Sequence, residues 1–452
     1  MIQTAQQRPA AASDPFLAAF AHVEQARDRQ PAWLFPLRKA GLARFAELGF
    51  PTLQHEDWRF TNVAPIAQFP FRPALTPSEA QLPSDFLATL PLAALVGPRV
   101  VFVDGYFAPA LSRLDNLPKG VKVSSLAVAL ATDGALVQKY LEQHVRDDAN
   151  AFAALNAAYF HDGALILAPA GTAVPEPIQL IHISTSKEAG ATANLRHLIV
   201  AEPNSQMTVI ESYFAATDAA YFTNVVTEMV AADGARVEHC KFQDEGAAAF
   251  HIAALHATFA RASNVWHHSF ALGARLSRNN IRTRLEGEGL ECILNGLYLP
   301  KDDQLVDHHM VVEHVAPRCA SHEYFNGILD DRAKGVFHGR IHVNPGAQKT
   351  DAKQTNKNLL LSDGATVDTK PQLEIYADDV KCTHGATIGQ MNEESIFYLR
   401  ARGIGEELAR RMLMHGFAGE IIDRVQHPAL REALDNIVWN RLEMNPEISE
   451  GK

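Results

Sequence analysis

Cys382 and His384 are the residues whose types and spacing most directly suggest chemistry. They lie in DDVKCTHGATIGQ, residues 378–390, where we expect a strand. Residues two apart in a strand share a face with Cα atoms ~6.6 Å apart, so thiol and imidazole could reach one metal ion or one substrate atom. A tight metal site needs three or four ligands, so the others must come from elsewhere in the fold or from another chain. The structural alternative is a buried strand cysteine followed by a polar strand end.

Other histidines form pairs in the sequence, but their spacing argues against metal sites within one strand. In VDHHMVVEHV, His308 and His314 share a strand face ~20 Å apart. His309 and Glu313 share the opposite face ~13 Å apart, again too far for one ion. Two further close pairs are Cys319 with His322 and His267 with His268. We interpret these two pairs as strand-surface or stacked residues.

The composition indicates a folded chain in a reducing compartment. The sequence has 452 residues, 47% of them hydrophobic, and a formal net charge of -11. An acidic chain is a poor general binder of nucleic acid, because that affinity depends on lysine and arginine neutralising phosphates. The four cysteines are scattered without a CxxC pair, and neither a signal-peptide core nor a long apolar run occurs. We therefore expect a cytoplasmic protein that binds neither nucleic acid nor membrane.

Between about Leu165 and Ile388 the sequence predicts a β-solenoid. Short apolar or alternating runs such as IQLIHIS, NVVTEMV and GRIHV recur every ten to twenty residues, with turns such as ADGA, EGEG, NPGA and SDGA between them. The lack of intervening helices excludes a βαβ sheet and leaves a sandwich, a barrel or a solenoid. The length of the uninterrupted region favours the solenoid, which can keep adding turns. In each turn, glycine is expected where positive φ is needed.

Helical patterns flank this region. A helical hairpin is predicted from Asp14 to about Leu48, followed by proline-rich loops and a strand and turn in RVVFVDGYF. After Gly389, helices are predicted with Asn392 as an N-cap, a stop at Gly403, and breaks at Gly416 and Pro428. We therefore divide the chain into an N-terminal helical and mixed domain (1–160), a β-helix core (161–389) and a C-terminal helical domain (390–452).

Familiar catalytic and nucleotide-binding motifs do not occur in the sequence. It contains no Walker loop, no GxSxG elbow and no HExxH motif. RARGIGEELARR contains a Gly-x-Gly turn that could grip a phosphate backbone, but Glu406 and Glu407 at the next helix start favour a structural turn. From these residues alone, the prediction is a binding or scaffold protein.

Two stretches resemble the SufB/SufD family of iron-sulfur cluster assembly proteins. The longer is AQKTDAKQTNKNLLLSDGATVDTKPQLEIYADDVKCTHGATIGQMNEESIFYLRARGI, residues 347–404, and the likeness extends less closely from about Leu165 to the C-terminus. EDWRFTNV (56–63) and KCTHGAT (381–387) resemble the SufD branch of the family more than SufB.

The resemblance implies a right-handed parallel β-helix flanked by helices, acting as a non-catalytic scaffold. It implies pairing with SufB through the β-helices and binding of the ATPase SufC through the C-terminal helices, with no nucleotide held by this chain. It also implies a nascent iron-sulfur cluster at the interface with SufB, with His384 as an iron ligand and Cys382 beside it. An isolated chain could instead pair with itself.

One departure from the family pattern limits what this chain can bind alone. Where SufB has a cysteine thought to meet the cluster, KQTNKNLLLS has Asn356 and Lys357. Imidazole and thiolate are good iron ligands, and an interface with few ligands can release its cluster. The alternative function is that of a polysaccharide lyase or hydrolase of the β-helix type, which would need acid and base residues clustered on one solenoid face.

Overall fold

In the part of the chain that the structure describes, twenty strands form the centre of the protein. The computed structural model describes residues 15–443, except for 78–81, 84, 146–149 and 187. The strands are β1 (Arg72–Pro73), β2 (Arg99–Val103), β3 (Tyr106–Phe107), β4 (Lys122–Ser125), β5 (Ala164–Ala168), β6 (Ile178–Ser184), β7 (Ala191–Ala201), β8 (Gln206–Ala215), β9 (Phe222–Ala231), β10 (Arg236–Asp244), β11 (Phe250–Phe259), β12 (Asn264–Ala271), β13 (Leu276–Leu285), β14 (Glu291–Tyr298), β15 (Leu305–His314), β16 (Ala320–Leu329), β17 (Lys334–Val343), β18 (Asp351–Leu360), β19 (Thr366–Ile375) and β20 (Lys381–Gly389).

From β5 onwards, successive strands go to alternate sheets. Sheet 1 has the order β19-β17-β15-β13-β11-β9-β7-β5-β4, with β1 beside β7, and sheet 2 has the order β20-β18-β16-β14-β12-β10-β8-β6-β2-β3. Each strand from β7 to β18 pairs in parallel with the strands one turn before and after it. The predicted parallel β-solenoid is therefore confirmed, with about seven turns.

The register fixes the length of one turn. Six residues stack one above another in sheet 2, namely Arg236, Asn264, Glu291, Ala320, Asp351 and Lys381. One turn therefore takes 27–31 residues. Each strand points alternate side chains into the space between the sheets and outwards, so residues about 30 apart can share one inward-facing column.

The corners use positive φ, but at fewer glycines than predicted. Gly234 and Gly289 have φ of 68° and 72°, as expected. Gly346 and Gly364 are absent from the positive-φ residues, and the corner before β18 instead uses Lys349 with φ of 60°. The prediction is therefore wrong for the NPGA and SDGA turns. At Gly364 the constraint is space, because a Cβ would lie 2.5 Å from the Asp331 carbonyl oxygen.

N-terminal helices cover the outer face of sheet 1. They are α1 (Pro15–Gln25), α2 (Leu34–Leu48), α3 (Ala64–Gln68), α5 (Leu126–Thr132), α6 (Gly134–Tyr140) and α7 (Ala151–Tyr159). The short helix α4 (Phe86–Thr89) packs instead on the outer face of sheet 2. Phe16 and Phe152 belong to one buried cluster with Phe222 and Phe250 from sheet 1. The predicted helical hairpin is confirmed as α1 and α2, while its expected start at Asp14 lies outside the described residues.

A buried ion pair joins this N-terminal region to the solenoid. The Arg196 guanidinium on β7 donates to the Glu228 carboxylate at 2.7 Å and lies 2.6 Å from the Glu142 carboxylate. Both Arg196 and Glu228 are fully buried. Removing Arg196 would leave an uncompensated charge inside the protein. Its contact with Glu142 ties the N-terminal segment to sheet 1.

C-terminal helices cover the outer face of sheet 2. They are α8 (Glu393–Arg400), α9 (Glu406–Ile422) and α10 (Pro428–Arg441). Met414 and Leu434 share a buried cluster with Phe242 and Phe270 of sheet 2. The Glu238 carboxylate accepts hydrogen bonds from the backbone N–H groups of Gln426 and His427 at the start of α10.

The predicted ends of these helices are partly correct. Asn392 caps α8, since its side-chain oxygen accepts from the N–H groups of Glu394 at 2.8 Å and Ser395 at 3.2 Å. The break predicted at Gly416 is wrong, because α9 continues through it to Ile422. Packing of the buried face of α9 on sheet 2 outweighs the helix penalty of glycine, which is about 1 kcal/mol. Within the described residues, no helix combines the length and apolar character needed to cross a membrane.

Candidate functional site

The stretch containing Cys382 and His384 forms β20, the last strand of sheet 2. One edge of β20 pairs with β18, and across the described residues its other edge has no strand partner. Likewise, β19 is the last strand of sheet 1. One of its edges pairs with β17, and across the described residues its other edge has no strand partner. The two strands together form an open end of the solenoid, where the next turn would otherwise stack.

Cys382 and His384 lie on the inward face of this last turn. Cys382 stacks on Ala352 and His384 stacks on Gln354. Ala352 belongs to the buried cluster inside the final turns, and Gln354 is buried. Because stacked residues in parallel register point the same way, Cys382 and His384 share that face, as predicted. Without a further turn above them, they line the open end.

The two side chains differ in accessibility. Cys382 is half-buried and packs against the cluster of Ile341 and Val343, whereas His384 is exposed. Burial raises the pKa of the Cys382 thiol, and the nearby charge of Asp351 raises it further. The thiol is therefore protonated at neutral pH and would have to lose its proton to bind a metal. His384 is the more accessible of the two side chains.

A buried polar column lies directly beneath His384. Gln354 and Glu323 stack below it in successive turns, and the Gln354 amide donates to a Glu323 carboxylate oxygen at 2.5 Å. Burial raises the pKa of Glu323 to about 7. Gly339 makes room for the column, since a Cβ there would lie 2.1 Å from the Gln354 amide nitrogen. The solenoid thus places a titratable carboxyl group two turns below the exposed imidazole.

Sequence reasoning missed Gln354 and Glu323 as neighbours of His384. The signal was the spacing, since Glu323 and Gln354 are 31 residues apart and Gln354 and His384 are 30 apart. Each spacing matches one turn of the solenoid. That signal becomes readable only when the turn length is known, because strand periodicity by itself does not define register between turns.

His308 and His314 lie inside the solenoid and do not converge on one point. His308 and His314 face the interior, where their Nε2 atoms contact the Ser269 hydroxyl at 3.0 Å and the Ser321 hydroxyl at 2.8 Å. Burial lowers their pKa values to about 3 and about 4, respectively. They are neutral, hydrogen-bonded core residues.

The pairs His267 with His268 and Cys319 with His322 are likewise held by other contacts. His267 and His268 point to opposite faces of β12, towards His239 and Glu238 respectively. The Cys319 thiol donates to the Gly287 carbonyl at a solenoid corner, and His322 lies on the outer face of β16, 3.8 Å from the Asp351 carboxylate. Neither pair converges on a common point.

Comparisons with known proteins identify the family. The model for the SUF system FeS cluster assembly SufBD core domain matches residues 182–417, and the model for the SufBD protein N-terminal region matches residues 13–180. The chain belongs to the SufBD family. It is 32% identical over 409 residues to the iron-sulfur cluster assembly protein SufD of Escherichia coli, covering 90% of this chain and 93% of that protein.

Two further relatives extend across most of this SufBD chain. An iron-sulfur cluster assembly SufBD family protein of Synechocystis is 32% identical over 409 residues, which cover 89% of each chain. SufD of Bacillus subtilis is 26% identical over 434 residues, covering 92% of this chain and 95% of its own. The resemblance to SufD is thus confirmed. The protein is an iron-sulfur cluster assembly protein of the SufBD family.

Asn356 and Lys357 have structural contacts in this SufBD protein. Asn356 is buried, and its amide donates to the Tyr298 hydroxyl at 3.1 Å and to the Phe325 carbonyl at 3.1 Å. Lys357 lies on the outer face of β18 and pairs with Glu420 of α9 at 2.7 Å. At these two positions the chain has no thiol.

Apolar side chains surround the open end. Ile375 and Tyr376 at the end of β19 are 39% and 59% exposed, and Ile388 on β20 is 48% exposed. An exposed sheet edge with apolar neighbours is a site for pairing with another chain.

A second apolar surface lies on α8 and α9. It consists of Phe397, Tyr398, Leu408 and Met412, which are 40–74% exposed. The opposite faces of these helices are buried through Ile396, Ala409 and Met414. Nearby, Arg400 and Arg410 pair with Glu406 at 3.0 and 3.2 Å, which favours the structural interpretation of the Gly-x-Gly turn.

Proposed function

We propose that this protein is a SufD-like scaffold subunit that pairs with SufB through the open end of its solenoid and binds the ATPase SufC through its C-terminal helices. In this proposal it neither catalyses a reaction nor binds a nucleotide itself, and it acts in the cytoplasm. The observation that carries the proposal is the unpaired last turn, with His384 exposed at its end and Cys382 beside it.

The incomplete ligand set supports assembly at an interface. An iron-sulfur cluster is usually held by four protein ligands, whereas the open end supplies His384 and Cys382. The remaining ligands would come from SufB, across the unpaired edges of β19 and β20. The nascent cluster is cargo in this arrangement, and a short ligand set allows its release to an acceptor protein.

The apolar residues at the open end support protein pairing there. Ile375, Tyr376 and Ile388 would be buried by a second solenoid stacked on the first. Burial of each large apolar side chain contributes about 1.5–3 kcal/mol to association before the entropic cost of binding. When SufB is absent, a second copy of this chain offers the same surface, so the isolated protein could form a homodimer.

The surface of Phe397, Tyr398, Leu408 and Met412 is the proposed SufC-binding site. It lies on α8 and α9, directly after the last solenoid turn, so movement of SufC would act next to the cluster site. This assigns 1–160 to covering the solenoid, 161–389 to pairing and cluster assembly, and 390–452 to the ATPase. The four free cysteines are compatible with a reducing cytoplasm.

Family membership favours this function over the polysaccharide-cleaving alternative. A co-purification experiment tests it. Phe397→Ser with Tyr398→Ser should abolish retention of SufC but not of SufB, while Ile388→Asp should abolish retention of SufB. Leu53→Ser, which changes an exposed leucine in the N-terminal region, is the matched control and should retain both. Full retention by all variants would reject these two surfaces as binding sites.

A further inference from the structure

Three potential metal ligands meet on the outer face of sheet 1, far along the chain from each other. Asp57 lies in a short 3-10 helix (Glu56–Trp58) of the N-terminal region, while His309 and His338 are adjacent register partners on β15 and β17. One ligand atom from each lies within 4.8 Å of the other two. The Asp57 carboxylate is 3.7 Å from His309 Nε2, and the two imidazole centres are 4.3 Å apart.

The separations between the three ligand atoms are close to the donor–donor separations in a zinc site. Donors about 2.0–2.1 Å from a tetrahedral zinc ion lie ~3.3 Å from one another. Small side-chain rotations would bring the three groups from their present separation to that value. The two histidines lie on neighbouring strands of one sheet, and the Asp57 side chain is 44% exposed, so it has room to rotate.

The state of His338 is a second and independent observation. His338 as a whole residue is 95% buried, and its Nε2 atom has no hydrogen-bond partner in the described part of the chain. The Gln372 side chain hydrogen-bonds to the same ring, as outer partners of metal-binding histidines commonly do. A buried ring nitrogen without a partner is costly unless something binds it. A small cavity of about 30 Å³ opens beside Asp57 and His309, enough for one ion or water molecule.

The electrostatic surroundings leave both imidazoles neutral. Burial and the nearby Arg278 lower the pKa of His309, and burial with Lys370 lowers that of His338. Arg278 pairs with Asp307 at 2.6 Å and Lys370 with Glu56 at 2.8 Å, and the positive charges of Arg282 and Arg340 also act on His309. Two imidazoles and one carboxylate lie around a common point, and this is the donor set of many zinc sites.

We propose that Asp57, His309 and His338 bind one divalent transition-metal ion of the zinc class, with water as the fourth ligand. The ion would clamp the N-terminal segment to two successive turns of the solenoid. This site is separate from Cys382 and His384, and the proposal does not depend on the proposed function. Spacing within one strand could not identify His309 as a metal ligand. Its partner His338 lies on the next turn, 29 residues later in the chain.

Equilibrium dialysis of the purified full chain against Zn²⁺, followed by metal analysis, tests the site. We expect the wild type to retain one zinc ion that Asp57→Asn, His309→Ala and His338→Ala each lose, with at least about tenfold weaker binding. His342→Ala is the matched control, because His342 lies on the same face of β17 and pairs with one carboxylate, Glu374. Asp57→Asn changes a partly exposed side chain, which keeps the test valid if a histidine variant misfolds.

Cobalt distinguishes this site from the one at the open end. Co²⁺ bound by Asp57, His309 and His338 should give ligand-field bands without a thiolate charge-transfer band, and Cys382→Ser should leave that spectrum unchanged. A thiolate band abolished by Cys382→Ser would place the metal at the open end and overturn the proposal. Equal zinc content in the wild type, Asp57→Asn, His309→Ala and His338→Ala would also overturn it.

Discussion

Glu323 should make the solenoid less stable as the pH rises through neutrality. Its carboxyl group is fully buried, one of its oxygens has no partner in the described residues, and burial raises its pKa from 4.5 to about 7. The unfolded chain loses this proton near pH 4.5, whereas the folded chain keeps it until about pH 7. The folded state therefore binds more protons in that window, and its free energy of unfolding falls as the pH increases.

The size of the effect follows from the difference between the two pKa values. A pKa difference of about 2.5 lowers the free energy of unfolding by about 3 kcal/mol. This loss is complete above pH 7 and absent below about pH 4.5. Glu323→Gln removes the titration while keeping an acceptor for the Gln354 amide. Relative to the wild type, the variant should thus gain about 2–3 kcal/mol between pH 5 and pH 8.

Urea unfolding followed by circular dichroism at pH 5 and pH 8 measures this difference. Glu188→Gln, which changes an exposed carboxylate, serves as the control and should follow the wild type at both pH values. An identical pH dependence in the wild type and Glu323→Gln would refute the claim that Glu323 is protonated in the folded protein at mildly acidic pH.

Three further predictions concern the fold. Arg196→Met should destabilise the protein by about 3–5 kcal/mol in urea unfolding, because Glu228 and Glu142 would be left without their buried cation; a loss below about 1 kcal/mol would contradict this. Gly163→Ala should prevent accumulation of soluble protein, since φ is 149° and the new Cβ would lie 1.9 Å from the Arg196 carbonyl oxygen; a wild-type yield would contradict that packing. Asn392→Ala should cost about 1 kcal/mol and speed amide hydrogen exchange selectively in α8; unchanged exchange would show that the cap is dispensable.

Periodicity within a strand predicted most of the architecture. For example, the run NVVTEMV lies in β9. The shared face of Cys382 and His384 followed directly from the two-residue alternation of a strand. Asn392 was also readable, because a side-chain cap acts on backbone groups two and three residues away. These features depend on neighbours in the sequence, so the sequence suffices to predict them.

Features that depend on stacking could not be predicted in the same way. The column of Glu323, Gln354 and His384, and the meeting of Asp57 with His309 and His338, both require the register between turns. Packing against sheet 2 carried α9 through Gly416 against its local propensity. In each case the deciding contact comes from another turn of the solenoid or another element.

The central claim is that His384 contributes to cluster assembly at an interface with SufB. The direct measurement is cluster content, as bound iron and visible absorbance, after adding iron and sulfide to the reconstituted complex with SufB and SufC. Thr383→Ala is the control, because Thr383 neighbours His384 but lies on the opposite face of β20. We expect His384→Ala to lose most of the cluster while the complex stays intact by size-exclusion chromatography, and Thr383→Ala to match the wild type. A full cluster on the intact His384→Ala complex would contradict the claim.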